Sequence, residues 1–543
     1  TSMDFRGTVS YNADLGKTGD HILSLFGGAE LNSTDRQYTW FRGWGYQYDN
    51  GGEPYLDYRL FKQSQEENSM YFANTFSFYR NLAFFGMATY SYKGRYTING
   101  TIRYEGTNKL GKSRNARWLP TWNVSGAWNA HEEDWWYPTF GKAWSYASLK
   151  GSYSLTADRG PAGVTNSLAV FSSFTPFRPS TNASETGIQL YDIENSELTY
   201  EKKHELNIGV AFGFVDNRVN VEFDWYRRNN YDLIGYVQTM GVGGQTTKLA
   251  NDATMQSTGC EFTISTVNIK AKDFKWTTDW IFGWAENEIT KLQSRSQVYQ
   301  LVNGYGRKQG RPVGALYSIP FAGLTEEGLP TFYIDADRTQ IAGPANYDAI
   351  YFQEYENVDY LKYEGTIDPK ITGSFGNTFS WKGLKLNVFF TYSFGNVLRL
   401  DPLCPVYGSD YSDLTASMKE MKNRWMIPGD EQITTIPSIP TVRQMREIDA
   451  LSNAYSAYNY STERVAKGDF IRLKELSLAY DLPKKYFEGQ NAVSSFGVKL
   501  SATNLWLAYA DKKLNGRDPE YYNTGGVSSP VPRQFTLTVK LGF

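Results

Sequence analysis

The chain has 543 residues, 16% of them aromatic (40 Tyr, 32 Phe, 15 Trp), and a formal net charge of −2. Mean hydropathy is −0.50, and no apolar run approaches the roughly 18 residues of a membrane helix, which excludes helical spans. The near-neutral charge gives no electrostatic case for nucleic acid. HExxH, GxSxG, Walker and Rossmann patterns are missing, and His21, His131 and His204 are scattered, so no catalytic residue, metal site or cofactor is predicted.

The period along the chain is two. A first strand is expected over Phe5–Asn12, then a long connection over Leu31–Asn68, then one long strand over Ser69–Tyr92. After a tight turn at Ser91–Arg95, Tyr96, Ile98, Gly100, Ile102 and Tyr104 make one face; Thr97, Asn99, Thr101, Arg103 and Glu105 make the other. Successive strand side chains point to opposite sides, so one face meets an apolar medium and the other a polar one. Strands follow at Trp118–Trp128 and Leu149–Thr156, then a second long connection, Ala157–Tyr200. Leu206, Ile208, Val210, Phe212 and Phe214 alternate with polar or small residues, as do Val219, Val221, Phe223 and Trp225 beyond the turn Val215–Arg218. Cys260 reads as a small packed side chain in a strand, and with Cys404 it makes no disulfide framework. Phe274, Trp276, Trp280, Phe282 and Trp284 follow the turn Asn268–Asp273. Beyond the connection Glu286–Pro369, the turn Ser380–Gly383 leads into Leu384, Leu386, Val388, Phe390 and Tyr392. Long connections over Asn396–Lys467 and Leu505–Arg533 precede a last alternating strand, Phe535–Phe543.

This gives an all-β chain of about fifteen strands whose short and long connections largely alternate, as in a membrane-spanning antiparallel β-barrel. A soluble sandwich also alternates. Against it stand strand lengths near the 9–11 residues of a tilted membrane strand, polar faces suited to a wet lumen, and aromatics near strand ends. Bacterial barrels have even strand numbers and begin in the periplasm. An odd count with the last strand ending there predicts that further strands precede Thr1, so that the chain starts in a surface loop.

Several segments, in order, resemble the SusC/RagA family of TonB-dependent outer-membrane transporters. They are FFGMATYSYKGRYTINGTIRYEG with RWLPTWNVSGAW (Phe84–Trp128), LKGSYSLT (Leu149–Thr156), and the block Asn195–Ile234. GRPVGALYSIPFAGL (Gly310–Leu324), DPKITGSFGNTFSWKGLKLNVFFTYSFGN (Asp368–Asn396), RWMIPGD (Arg424–Asp430), GDFIRLKELSLAYDLP (Gly468–Pro483), ATNLWLAY (Ala502–Tyr509) and GRDPE (Gly516–Glu520) complete the series. The run Tyr351–Tyr363 departs from the family's glycine-containing acidic stretch. The resemblance implies the C-terminal part, 1–543, of a plugged barrel of roughly 22 strands with long extracellular loops. The plug and first strands would be carried by another chain. It implies active import of oligosaccharides or peptides, energised through TonB, with a SusD-like surface lipoprotein as lid and two such pairs per assembly. Terminal Phe543 resembles the recognition signal of barrel assembly. A passive porin or adhesin barrel and a secreted all-β glycan-binding protein are the other two readings.

Loop aromatics are the candidate substrate contacts: Trp40, Trp44, Tyr46 and Tyr48, then Tyr305, Tyr317 and Phe321, then Trp506. Rings stack on sugar faces and grip peptide side chains at modest entropy cost. The same rings also serve to pack loops against one another. Asp511, Asn515, Asp518 and Glu520 lack calcium-loop spacing, His131 in HEEDW reads as a solvated turn, and Asp49–Gly52 reads as a plain turn.

Overall fold

In the computed structural model the alternating segments form extended, antiparallel strands. It describes residues 1–543 except 17–18, 43–45, 47, 53–56, 68–71, 112, 142, 159–168, 175–186, 242–245, 404–418, 484–485, 487–492 and 523–531. The first strands are β1 (Ser2–Leu15), β2 (His21–Phe41), β3 (Phe72–Tyr92), β4 (Tyr96–Thr107), β5 (Trp118–Asn129) and β6 (Trp144–Asp158). A short pair, β7 (Val170–Phe174) and β8 (Gly187–Asp192), precedes β9 (Glu201–Phe214), β10 (Val219–Gln238), β11 (Thr247–Lys270) and β12 (Phe274–Leu292). Small strands β13 (Ala315–Ser318), β14 (Phe321–Leu324), β15 (Pro330–Tyr333), β16 (Ile341–Ala342) and β17 (Lys362–Thr366) come next. Then follow β18 (Ile371–Trp381), β19 (Leu384–Phe394), β20 (Val397–Arg399), β21 (Val465–Lys467), β22 (Phe470–Asp481), β23 (Ser495–Ala510) and β24 (Gln534–Gly542). Fifteen strands form one sheet in the order β1-β2-β3-β4-β5-β6-β9-β10-β11-β12-β18-β19-β22-β23-β24, the number the period-two pattern predicts.

The chain divides into two compact units, 1–132 with 150–207 and 228–255, and 133–149 with 208–227 and 256–543. In the first unit, β2 and β3 pair without a break from His21↔Tyr92 to Phe41↔Phe72. The connection expected from Leu31 therefore starts beyond Phe41. The hydrophobic alternation stops near Asp35, but the backbone ladder does not, because polar side chains on both sides suit a strand pair that projects into water. For the same reason β12 runs to Leu292 and β23 to Ala510, past the expected ends. One face of this unit carries a polar ladder. Arg6 Nε lies 3.2 Å from Glu30, Arg103 Nη1 lies 2.8 Å from the same carboxylate, and Arg103 Nε lies 2.6 Å from Glu105. The opposite face exposes Phe5, Val9, Ile98 and Ile102.

The second unit repeats this division. Thr378 Oγ1 donates to Asn387 at 3.1 Å and Ser265 Oγ to Asp279 at 2.7 Å on the polar face. Phe535, Leu537, Val539 and Leu541 stand 53–67% exposed on the other, far more apolar surface than a soluble monomer leaves open. Trp276 and Trp280 lie on that apolar face, and each satisfies its indole N–H by a 2.9 Å bond, to Asn377 Oδ1 and Tyr392 Oη. Ringed aromatics with bonded polar tips suit a membrane boundary. Among the described residues no helix is long and apolar enough to cross a membrane; the sheet would cross with strands. The hairpin between β18 and β19 turns on Lys382 (φ 47) and Gly383 (φ 90), the two positive φ values of a type I′ turn, whose twist matches paired strands.

Within the second unit the described residues of the two longest connections are folded. Helices Val298–Val302 and Leu451–Asn459 pack with β13 to β17 around Leu301, Phe332, Tyr347 and Tyr458, each at most 2% exposed. Thr441 and Gln444 form a capping box on the helix Val442–Glu447. Tyr347 donates to Pro330 O and Tyr455 to Ser438 O, each at 2.8 Å, so these two buried phenols are satisfied.

Candidate functional site

The folded connections form the candidate site, and arginines hold them to the sheet. Arg399 on β20 is buried. It donates to Ser461 O at 2.9 Å, Tyr317 O at 2.5 Å and Val302 O at 3.4 Å, tying together three segments far apart in sequence. Burial pulls its pKa down to about 10, opposed by the carboxylate of Glu364. Arg464 pairs with Glu420 and donates to Asp401 O at 2.7 Å. The planar fork of arginine suits this use, because several donors leave one rigid group.

The GRDPE segment acts the same way. Arg472 on β22 lies 2.5 Å from Asp518 and 3.3 Å from Glu520. Arg517 pairs with Asp401 and donates to Tyr522 Oη at 3.0 Å. Asp511 and Asp518 each accept a backbone N–H of the short turn that they begin. Cations and backbone thus occupy these carboxylates, and among the described residues no group of three or more His, Cys, Asp and Glu is arranged for a metal. Cys260 is a free thiol on β11, and Cys404 lies outside the described residues.

The aromatics singled out in the sequence separate into two sets. Tyr317 on β13 is 3% exposed, and Phe321 on β14 packs on the same core, 5.8 Å from the ring of Tyr458. Burial raises the Tyr317 hydroxyl to about 12, so it stays neutral. These two rings build the body rather than its surface. Tyr305 is 83% exposed on that body. Tyr46 and Tyr48 stack edge-on at 4.8 Å, with Tyr48 83% exposed. Trp40 and Trp506 were expected in loops but lie on strands β2 and β23. Arg42 caps the Trp40 ring at 5.1 Å, and Trp506 is 56% exposed. Trp44 lies outside the described residues. The structure adds Tyr299 and Tyr351, about half-exposed and joined through the 2.8 Å bond from Tyr299 N to Phe352 O. Tyr351 opens the aromatic run noted in the sequence, whereas nothing in the sequence pointed to Tyr299.

His204, which the strand pattern left unassigned, stands in β9. Its ring stacks between Tyr153 at 5.6 Å and Tyr231 at 5.5 Å. His131 lies beside Glu132, at 3.3 Å, in a short turn between β5 and β6.

No family model matches the chain. It is 26% identical over 486 residues to TonB-dependent receptor P3 of Formosa agariphila, covering 84% of this chain and 45% of the relative. To TonB-dependent receptor SusC of Bacteroides thetaiotaomicron it is 25% identical over 300 residues, covering 54% of this chain and 27% of the relative. The fold matches the RagAB peptide importer in its closed-closed state with a TM-score of 0.74 and 23% identity, over 100% of this chain and 55% of that one. The chain spans about half the length of the longer-matching curated relatives. On sequence the chain is similar to TonB-dependent receptors of the bacterial outer membrane, SusC among them, and its fold is that of part of a β-barrel of the RagA type.

Proposed function

We propose that this chain forms a large part of the wall of an active importer that takes up oligosaccharides or peptides, energised through TonB. The two-faced sheet carries this reading, since the same strands offer an apolar face to lipid and a hydrogen-bonded polar ladder to a wet lumen. The relatives' names support the TonB-dependent class, and the similarity to a peptide importer makes peptides a substrate class to test alongside glycans. A SusD-like surface lipoprotein would dock on the arginine-clamped connections and close over the substrate, with two such pairs in the assembly. β1 and β24 each have a single sheet neighbour. Lipid cannot satisfy such open edges, so further strands, with a plug, would complete the barrel. Among the aromatics, Trp40, Tyr46 and Tyr48 in the first unit and Tyr305 and Trp506 in the second would be the candidates to touch substrate, while Tyr317 and Phe321 hold the body in shape.

The test is uptake by cells with and without the gene, using labelled oligopeptides and labelled oligosaccharides, in the presence and absence of an uncoupler. Gene-dependent uptake of one class, abolished by the uncoupler, is the expected result. Uptake that survives uncoupling, with no lipoprotein co-purifying in detergent, would establish a passive porin and refute the proposal. Tyr305→Ala and Trp506→Ala should each weaken uptake about tenfold at low substrate if they stack on it.

A further inference from the structure

The apolar face of the first unit is not an even wall. It carries a trough of about 790 Å³. The register explains its shape. Val9, Gly27, Gly86, Ile102 and Trp122 form one row across β1 to β5, and Tyr11, Leu25, Ala88, Gly100 and Val124 form the next. Large side chains at both ends of the rows make the walls, and Gly27, Gly86, Ala88 and Gly100 make the floor. The backbone does not demand glycine at the centre. Neither Gly86 nor Gly100 takes a positive φ. A Cβ would meet nothing within 4 Å at Gly100, and at Gly86 only Ile102 Cγ2, at 3.8 Å. What these two glycines contribute is open space.

The floor runs obliquely across the strands. From Gly27 and Gly86 it steps to Ala88 and Gly100, and Gly126, opposite Ile98, continues the same diagonal. Two residues further along β5 comes Trp128, in a row with Tyr96, Tyr92 and His21. This row borders the tight turn between β3 and β4, the short kind that bacterial barrels keep in the periplasm. Polar tips gather there. His21 Nδ1 lies 2.6 Å from Tyr90 Oη, and Lys93 Nζ stands 5.5 Å from the centre of the Tyr92 ring. The backbone N–H of Lys93 donates to Asp20 O at 2.7 Å, so an acid stands at this end as well, and the end is not a purely cationic patch.

We infer that the trough holds one acyl chain of a phospholipid from the periplasmic leaflet, with its phosphate at Lys93 and His21. The dimensions agree. Gly86 and Tyr92 stand six residues apart on β3. At about 3.4 Å per residue on a strand tilted about 45°, that is a depth of roughly 14 Å, half of a hydrocarbon core about 30 Å thick. A chain whose headgroup sits at the Tyr92 row therefore ends on the glycines. Lipid tails are as apolar as the walls, so the trough gains no hydrophobic energy over bulk lipid. Selection comes from dispersion contact with the open floor and from the headgroup. With Asp20 nearby, a single phosphate is better matched than a multiply phosphorylated glycolipid of the outer leaflet. The inference rests on the reading that this face meets the membrane, and it adds a resident lipid, which import itself does not require.

The experiment is native mass spectrometry of the full-length transporter, purified in detergent and washed until bulk lipid is gone. The expected result is one phospholipid, identified by its mass, retained per copy. Gly86→Leu combined with Gly100→Leu fills the floor, and retention should fall about tenfold. Lys93→Gln should lower it too, by a smaller factor. Val539→Leu, on the apolar face of the second unit, should retain lipid as the unaltered protein does. Retention of no lipid, or equal retention in the filled variant, overturns the inference. So does a retained glycolipid with several phosphates, retention indifferent to Lys93→Gln, or a pairing of two copies that the filled variant abolishes. A lipid-confined photoreagent applied to native membranes separates this failure from that of the barrel reading. Labelling of Ile102 without Arg103 leaves the barrel standing while the retained mass decides the occupant. Equal labelling of both overturns the barrel reading and the inference with it.

Discussion

Replacing Arg399 by alanine isolates what the clamp of the folded connections is worth. The guanidinium serves three buried carbonyls, of Ser461, Tyr317 and Val302. Each buried acceptor left without a donor costs about 1–3 kcal/mol. Its loss also strips Glu364 of one cation, although Lys362 stays 3.0 Å away and softens that term. Removing one member of a buried charged set costs about 3–5 kcal/mol, and that is the expected loss for Arg399→Ala. It corresponds to opening of the body roughly two to four orders of magnitude more often. Hydrogen exchange in detergent should report this as faster exchange over 315–366 and 451–467, with β18 and β19 unchanged as internal references. Arg399→Lys keeps the charge but not the fork and should fall between the two. Unchanged protection over the body, or protection lost equally in β18 and β19, would refute the clamp.

Three further outcomes test other parts of the argument. Leu537→Lys on the apolar face should cost roughly 2–4 kcal/mol if it sits near mid-membrane, whereas Thr538→Lys on the polar face should be tolerated; heat-modifiable gel mobility compares them. Gly383→Val forces a side chain onto φ 90 and places its Cβ about 2.5 Å from Asp481 O, so a loss of about 1–3 kcal/mol in urea unfolding is expected. Asp335 accepts from Thr339 Oγ1 at 2.6 Å and from the backbone of Thr339 and Gln340. These bonds hold its carboxyl below the usual range, the Thr339 side chain contributing most. A depressed pKa means the turn is fully supported above the ordinary aspartate value of about 3.9 and loosens as pH falls through the lower folded one. Amide exchange at Thr339 and Gln340, corrected for intrinsic rate, should lose protection only in that acid window.

Much of the sheet was legible because a strand with two different environments must alternate. The rows Tyr96–Tyr104 and Leu384–Tyr392 show this, and the count of strands followed from them. Strand ends were less legible. Asp35, Arg36 and Gln37 carry no hydrophobic signal, yet they remain in β2 because backbone pairing with β3 continues where lipid no longer selects side chains. That is why Trp40 and Trp506 read as loop residues. The folded connections were hidden for a different reason. The helix Val298–Val302 is too short to show a helical period, and its core partners Leu301, Phe332 and Tyr458 are brought together only by the tertiary fold. The arginine of GRDPE and Arg472 of GDFIRLKELSLAYDLP were visible as parts of motifs, but Arg399 was not. Nothing local distinguishes a buried strand arginine from one facing a wet lumen.

The core of the connections draws Leu301, Phe332 and Tyr360 from the segment between β12 and β18, and Leu451, Tyr455 and Tyr458 from the segment between β19 and β22. Each segment covers apolar side chains of the other. During biogenesis the first would therefore complete its burial only when the second arrives on the same core. The completed body would then hold the hairpins on either side of it in register. A chain stalled between the two hairpins would expose those side chains and present a marker for quality-control proteases.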